Sequence, residues 1–182
     1  MKMITKRGIF LWIMCILFLC GIIFLSFSLV TEGADWVMKP YNRHIYSDGQ
    51  LVAAGKIKVS KEVFDAVSQG SAAKGDVLTV ATTAGIAGAK RTWELIPMCH
   101  IVPMTGCTIE WELDKSHLEI GCRCTARCTG KTGVEMEALT GVSTALLTVY
   151  DMCKALDRIM EIGEIRLIEK DGGKSGHFVR EV

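Results

Sequence analysis

Proline is scarce in this sequence, with 3 residues among 182, and neither sign of charge is in excess. The few prolines exclude a collagen-like chain, and the lack of a sustained heptad pattern excludes a coiled coil. The 21 basic and 20 acidic residues give a formal net charge of +1, which argues against a general nucleic-acid binder. Hydrophobic residues make up 49% of the chain and charged residues 23%, so extended disorder is excluded as well.

Against this average composition, one long apolar run stands out near the start of the chain. Residues 8–30 carry no charge and follow three basic residues, Lys2, Lys6 and Arg7. A transmembrane helix needs about 20 apolar residues, so the segment 1–30 is expected to be an apolar anchor. A signal peptide is the alternative, although its apolar core usually has only about 7–15 residues, and a misassigned start site is another. The basic flank predicts that the N-terminus stays in the cytoplasm and that the chain after the run is exported.

Six of the eight cysteines lie beyond this run, and they predict neither a disulfide framework nor a metal site. Cys122 and Cys124 are two residues apart in a predicted strand, so they point to the same side and cannot easily bridge each other. Structural zinc sites favour paired cysteine knuckles on turns, and the spacing of Cys122, Cys124 and Cys128 differs from that pattern. Reduced thiols and no metal are therefore expected.

Breaker residues and periodicity predict a mixed α+β domain after the apolar run. Residues 31–58 are interpreted as irregular, because glycine, aspartate and asparagine recur there. Ser60 is the expected N-cap of a short helix that closes at Gly70. The remaining predicted elements are a helix over 75–95, a hairpin of strands 107–114 and 117–127, a long helix over 134–160 and a strand over 163–169. This order favours an antiparallel sheet with helices packed on one face.

Two glycine–lysine–hydroxyl triplets, at 130–132 and 173–175, suggest phosphate binding but do not form a Walker loop. That loop needs a further glycine five residues earlier, where this chain has Thr125 and Ile168. A P-loop NTPase is therefore not expected. Lys131 and Lys174 can still contact phosphate through their ammonium groups, and a solvated lysine in a turn is the alternative for each.

The long predicted helix carries the strongest candidates for acid–base chemistry. Asp151 and Lys154 are three residues apart and share one face, which suits either a surface ion pair or a mutually tuned acid–base pair. Glu137 lies 14 residues before Asp151, about 21 Å along the helix axis. A small substrate cannot touch both on one helix. Either the ligand is long, like a nucleoside triphosphate, or the site combines two copies of the chain.

Four segments of the chain resemble the cyclic pyranopterin monophosphate synthases, the molybdenum cofactor biosynthesis protein C family. In order they read KGDVLTVATTAGIAGAKRTWELIPMCH (74–100), GKTGVEMEALT (130–140), TVYDMCKALD (148–157) and GEIRLIEKDGGKSG (163–176). The resemblance covers about residues 50–180. It implies a domain over 50–182, preceded by a linker and divergent first strand over 31–49.

The resemblance also implies a fold and a reaction. The family fold is a ferredoxin-like α+β sheet. Family members assemble into a homo-oligomer, a hexamer of dimers, and their active sites lie at the interfaces between subunits. The substrate is cyclised dihydro-GTP, a GTP-derived cyclic nucleoside triphosphate. The enzyme, a phosphorus–oxygen lyase, converts it to cyclic pyranopterin monophosphate and releases pyrophosphate without a redox cofactor. The resemblance implies a cytoplasmic or organelle-matrix domain, with a possible membrane anchor through residues 8–30, and no nucleic-acid partner.

The roles of individual residues follow from the same matches. Asp151 corresponds to the family's catalytic acid–base, and Lys154 is its partner. The substrate-binding positions implied by the four segments are Met98, Cys99, His100, Met136, Glu137, Lys74, Lys131 and Lys174.

Departures from the family pattern keep two other interpretations open. Residues 38–42 match the family's first strand but contain Pro40, which removes a ladder hydrogen bond. Gly49 and Thr82 stand where the family has arginines. A catalytically inactive paralogue that acts as a binding or assembly module is one alternative, and a membrane-tethered scaffold is another.

Overall fold

The structure, a computed structural model, describes residues 48–129, 132–172 and 176–181. Within these ranges the chain forms five strands and four helices. In chain order they are β1 (Asp48–Lys58), α1 (Lys61–Ser68), α2 (Val77–Lys90), α3 (Thr92–Leu95), β2 (Met104–Asp114), β3 (Glu119–Thr129), α4 (Glu135–Cys153), β4 (Glu161–Asp171) and β5 (Phe178–Val179). The predicted α+β class is confirmed.

The strands form one antiparallel sheet in the order β2-β3-β1-β4-β5. β1 is central and pairs with β3 from Asp48↔Thr129 to Lys58↔Glu119. It also pairs with β4 on its other side. The β2–β3 hairpin is the predicted one, and it turns over residues 115–118.

The helices pack against the side of the sheet that carries the apolar residues. Ala53, Gly55 and Ile57 of β1 point to this side, and they pair with Cys124, Cys122 and Ile120 of β3, all of which are buried. A Cβ atom added to Gly55 would lie 2.9 Å from Val142 of α4, so the helix touches the strand backbone here. Small residues in β1 thus set how close α4 lies to the sheet.

Close contact between α2 and α4 depends on glycine in the same way. A Cβ atom on Gly85 would lie 3.0 Å from both the Gly141 carbonyl oxygen and the Ala145 Cβ atom. The alanine- and glycine-rich composition of α2 therefore reflects its contact with α4, as the small side chains of this segment suggest. α2 begins at Val77 because the Asp76 carboxylate accepts the backbone N–H of Thr79 at 3.1 Å.

Two sequence predictions about element boundaries are wrong. Residues 48–58, interpreted as irregular, form the central strand. The prediction failed because the small residues of this segment do not show the alternation of apolar and polar side chains that is typical of a half-buried strand. The long helix ends at Cys153 and not near 160, because the following residues make other contacts. There the Asp157 carboxylate accepts the backbone N–H groups of Ser60 and Ile159.

Other predicted elements are confirmed with shifted ends. Ser60 is the N-cap of α1, where its hydroxyl oxygen accepts the Val63 N–H, and Gly70 follows the helix with φ +66°. β4 extends beyond the predicted 163–169 at both ends, and β5 was not predicted.

The predicted apolar anchor, residues 8–30, lies outside the described residues, as do residues 38–42 with Pro40. In the described part of the chain, no helix is long and apolar enough to cross a membrane.

Candidate functional site

Asp151 lies in the last turn of α4 between two lysines. Lys154, one turn further on, donates to the Asp151 Oδ1 atom at 2.6 Å. Lys74, from the loop before α2, donates to the Asp151 Oδ2 atom at 3.1 Å and to its backbone carbonyl at 2.9 Å. The sequence predicted the first of these pairs; the second joins residues 77 positions apart and could not be found from spacing. These three residues are called the aspartate cluster below.

The aspartate cluster holds an ionised carboxylate in solvent. Hydrogen bonds from Lys154 and then Lys74, with their positive charges, lower the pKa of Asp151 below its ordinary value. The Asp151 side chain is 57% exposed, so a ligand can reach it. The two ammonium groups can donate hydrogen bonds to phosphate oxygens, and the accessible carboxylate between them can accept a proton.

A second group of predicted residues lies at the opposite end of α4. Glu137, in the first turn, is buried, and its Oε1 atom lies 3.9 Å from the Cys99 Sγ atom. Burial, followed by the neighbouring charge of Glu135, raises the pKa of Glu137. Burial and the nearby Glu137 carboxylate in turn raise the pKa of Cys99. This pair is called the glutamate cluster.

Exposed side chains surround the glutamate cluster. Met98, next to Cys99, is 89% exposed and Met136, next to Glu137, is 36% exposed. His100 is exposed as well. Large apolar side chains left in solvent beside a buried carboxyl are typical of a surface that binds a ligand or a partner.

The structure thus separates the predicted site residues into two clusters. Asp151 lies fourteen positions after Glu137 on continuous α4, which keeps the two residues about 21 Å apart along the helix axis. A ligand on one chain contacts both only if it spans about 21 Å. Lys131 and Lys174 lie outside the described residues.

A cavity of about 360 Å³ lies on the opposite, helix-free side of the sheet, and none of the predicted site residues line it. Its charged side chains partly neutralise one another: Lys56 lies 2.9 Å from Glu119 and 2.6 Å from Glu164. The candidate site residues therefore lie at the two ends of α4 and not in this cavity.

At the two departures from the family pattern, Thr82 makes a side-chain hydrogen bond, whereas Gly49 has room for a side-chain Cβ atom. The Thr82 hydroxyl accepts the indole N–H of Trp111 at 2.9 Å, which connects α2 to strand β2. Gly49 stands opposite Cys128 in the sheet, and a Cβ atom there would lie 3.7 Å from the Asp171 carbonyl oxygen. Neither position contacts the aspartate cluster.

Comparison with known proteins gives consistent matches over the same part of the chain. The model of the MoaC family matches residues 44–173. A protein named cyclic pyranopterin monophosphate synthase from Clostridium botulinum (strain Alaska E43 / Type E3) is 57% identical over 130 residues, which cover 71% of this chain and 82% of the relative. Proteins of the same name from Heliobacterium modesticaldum and Clostridium perfringens are 52% and 54% identical, over 72% and 70% of this chain and 83% and 80% of their own lengths.

Proposed function

The chain belongs to the MoaC family, and from this membership we propose that it catalyses the reaction for which its relatives are named, cyclic pyranopterin monophosphate synthesis in the molybdenum cofactor pathway. The substrate is the cyclised dihydro-GTP that the sequence resemblance implies. The observation that carries the proposal is the aspartate cluster, in which an exposed carboxylate lies between two lysines.

The aspartate cluster suits the phosphate end of this substrate. Closing a cyclic phosphate requires a base to remove a proton from the attacking hydroxyl, while cations neutralise the departing pyrophosphate. Asp151 is the base, and Lys74 and Lys154 bind phosphate oxygens. When the phosphates draw the lysines away from Asp151, its pKa rises and it becomes a stronger base at the moment of reaction.

The glutamate cluster suits the ring end of the substrate. A ring derived from guanine presents N–H donors, which a carboxylate can accept, and a flat face, which methionine side chains can cover. Glu137 and Cys99 supply the buried polar groups, while Met98, His100 and Met136 supply the exposed surface around them. Lys131 and Lys174 are proposed as further phosphate contacts.

Two copies of the chain are proposed to complete one site, because the clusters are too far apart on one helix. If two α4 helices pack antiparallel about a twofold axis, the glutamate cluster of one copy meets the aspartate cluster of the other. Leu147, 60% exposed on the helix, supports such packing. It lies eleven residues after Met136, about three turns, so both face the same way. The higher assembly is proposed to be the hexameric one implied by the resemblance.

We propose the ferredoxin-like fold from the order of the strands and helices. The strand order β4-β1-β3-β2 and the sequence of strands and helices agree with a ferredoxin-like arrangement, to which β5 adds an edge. A cytoplasmic or organelle-matrix location is proposed because the substrate derives from GTP. Anchoring through residues 8–30 remains part of this proposal.

An activity measurement tests the function. Full-length protein incubated with cyclised dihydro-GTP is expected to release one pyrophosphate for each molecule of substrate, detected with a coupled pyrophosphatase. Asp151→Asn is expected to abolish release. A folded oligomer of the wild-type chain that binds the substrate without releasing pyrophosphate would instead support the inactive paralogue.

A further inference from the structure

Two cysteines that the proposed reaction does not use lie in contact across the β2–β3 hairpin. Cys107 is near the start of β2 and Cys124 is in the middle of β3, on the helix side of the sheet. The register places Cys107 opposite Ala126 and Cys124 opposite Ile109, so the two cysteines are diagonal neighbours. Their Sγ atoms are 3.8 Å apart, which is van der Waals contact.

We propose that Cys107 and Cys124 are a redox-active dithiol pair that closes into a disulfide between β2 and β3. A disulfide bond is about 2.05 Å long, so the two sulfurs need to approach by less than about 2 Å. Diagonal neighbours on adjacent strands lie about 7–8 Å apart, slightly beyond the range of about 4.4–6.8 Å between the Cα atoms of a disulfide, so closure combines side-chain rotation with a small shift of the two strands. The proposal is independent of the proposed synthase activity.

The two thiols differ in the way that a reactive pair requires. Cys107 is half-buried and can be reached from solvent, whereas Cys124 is fully buried. The hydrogen bond with Cys124 and the positive charge of Lys90 lower the pKa of Cys107. The same contact, together with burial, raises the pKa of Cys124. Cys107 is therefore the thiol that attacks an oxidant, and Cys124 is the thiol that resolves the product.

The other four described cysteines have surroundings that do not favour this chemistry. Cys153 is buried, and this burial raises its pKa. Cys122 shares the helix side of β3 with Cys124, but burial raises its pKa to about 12. The Cys99 and Cys128 sulfurs contact oxygen atoms, of Glu137 and of the Thr132 carbonyl. Contact with a second sulfur and access from solvent thus coincide at Cys107.

The oxidant is a small disulfide such as oxidised glutathione. The Cys107 thiolate attacks one of its sulfurs, which forms a mixed disulfide and releases one glutathione thiolate. The Cys124 sulfur then attacks the Cys107 sulfur and displaces the second glutathione, which takes the Cys124 proton. One protein dithiol and one glutathione disulfide give one protein disulfide and two glutathione thiols.

Mass spectrometry of the full-length protein tests the pair. The reduced protein is purified in mild detergent, treated with oxidised glutathione, alkylated and digested with trypsin without reduction. Cleavage after Arg123 and Arg127 isolates Cys124 in a four-residue peptide, free of Cys122 and Cys128. We expect this peptide linked to the peptide 92–115, with the bond located at Cys107 by fragmentation.

Three variants make the test decisive. Cys124→Ser is expected to accumulate glutathione on Cys107, because the resolving thiol is gone, whereas Cys107→Ser is expected to leave Cys124 unmodified. Cys122→Ser, on the same side of the same strand, is the matched control and should form the linked peptide as the wild type does. The proposal is overturned if the folded wild-type protein forms no linked peptide, or if Cys107→Ser still links the Cys124 peptide to 92–115.

Discussion

At the scale of single residues, the charge state of Asp151 depends on its two lysines. In the free protein the Lys154 and Lys74 contacts lower the pKa of Asp151, so the carboxylate is ionised through the neutral range. Because the folded-state pKa is depressed, any stabilisation from these exposed contacts is present at neutral pH and is lost only as the pH falls through that low value. The contribution to stability is expected to be small, since solvent screens the charges.

Lys154→Met is predicted to raise the pKa of Asp151 toward its ordinary value of about 4, because it removes the strongest hydrogen bond to the carboxylate. A carbon-13 NMR titration of the side-chain carboxyl measures this shift without any substrate. Lys61→Met, which removes a similar bridge to Asp65 on α1, is the matched control and should leave Asp151 unchanged. An unchanged Asp151 titration in Lys154→Met would contradict the described geometry.

Glu137 should behave in the opposite way, because burial raises its pKa. With a raised folded-state pKa, the folded protein binds more protons than the unfolded chain, so stability falls as the pH rises through the unfolded value. Glu137→Gln keeps the shape and removes the charge, so its melting temperature is predicted to depend less on pH between about 4 and 7. At neutral pH the variant should be as stable as the wild type or more so, while pyrophosphate release falls at least tenfold. A clear loss of stability would show that Glu137 is mainly structural.

At the scale of elements, the contact between α2 and α4 leaves no room for added volume. A Cβ atom on Gly88 would lie 2.8 Å from the Thr144 Cβ atom. Gly88→Ala gains up to about 1 kcal/mol of helix propensity but is predicted to destabilise the protein by about 1–3 kcal/mol through overpacking. Urea denaturation measures the change.

A double-mutant cycle identifies the cause of that loss. Adding Thr144→Gly removes every side-chain atom that the new Gly88→Ala methyl group meets, including the Thr144 Cβ atom, so the double variant should be at least as stable as Thr144→Gly alone. If Gly88→Ala destabilises equally in both backgrounds, overpacking against Thr144 is not the reason.

Sequence patterns predicted some helices and strands correctly and missed or misplaced others, and each outcome has a physical reason. Ser60 and Gly70 bound α1 as expected, since capping chemistry is local. Strand β1 was missed because its alanines and glycine give little alternation of apolar and polar side chains. These residues are small because α4 packs directly against them, and a contact with a distant helix cannot be read from the sequence of the strand alone. The end of α4 was placed too late because Asp157 contacts Ser60, 97 positions away.

The candidate site shows the same division between local and distant contacts. Asp151 and Lys154 were paired correctly from helical spacing. The family resemblance implied roles for Lys74 and Cys99, but their contacts with Asp151 and Glu137 join residues 77 and 38 positions apart. Spacing within one helix did establish that Glu137 and Asp151 are separated by most of its length, and the structure retains that separation.

At the scale of the whole molecule, two clusters at opposite ends of one helix are the central feature. If both clusters act on one substrate, as proposed, a second copy of the chain completes each site. Disabling a different cluster in each copy therefore distinguishes a shared site from a site within one chain. In a twofold pair, one of the two sites in a mixed dimer receives both intact clusters.

The most direct measurement is pyrophosphate release by mixed assemblies. Asp151→Asn chains, disabled in the aspartate cluster, and Glu137→Gln chains, disabled in the glutamate cluster, carry different tags, are co-expressed at full length and are assayed with cyclised dihydro-GTP. Each variant alone should be inactive, and the mixture should recover up to about a quarter of wild-type activity, because about half of random dimers are mixed and each has one intact site. No recovery in mixed assemblies, with the wild type active, would contradict a site shared between two copies.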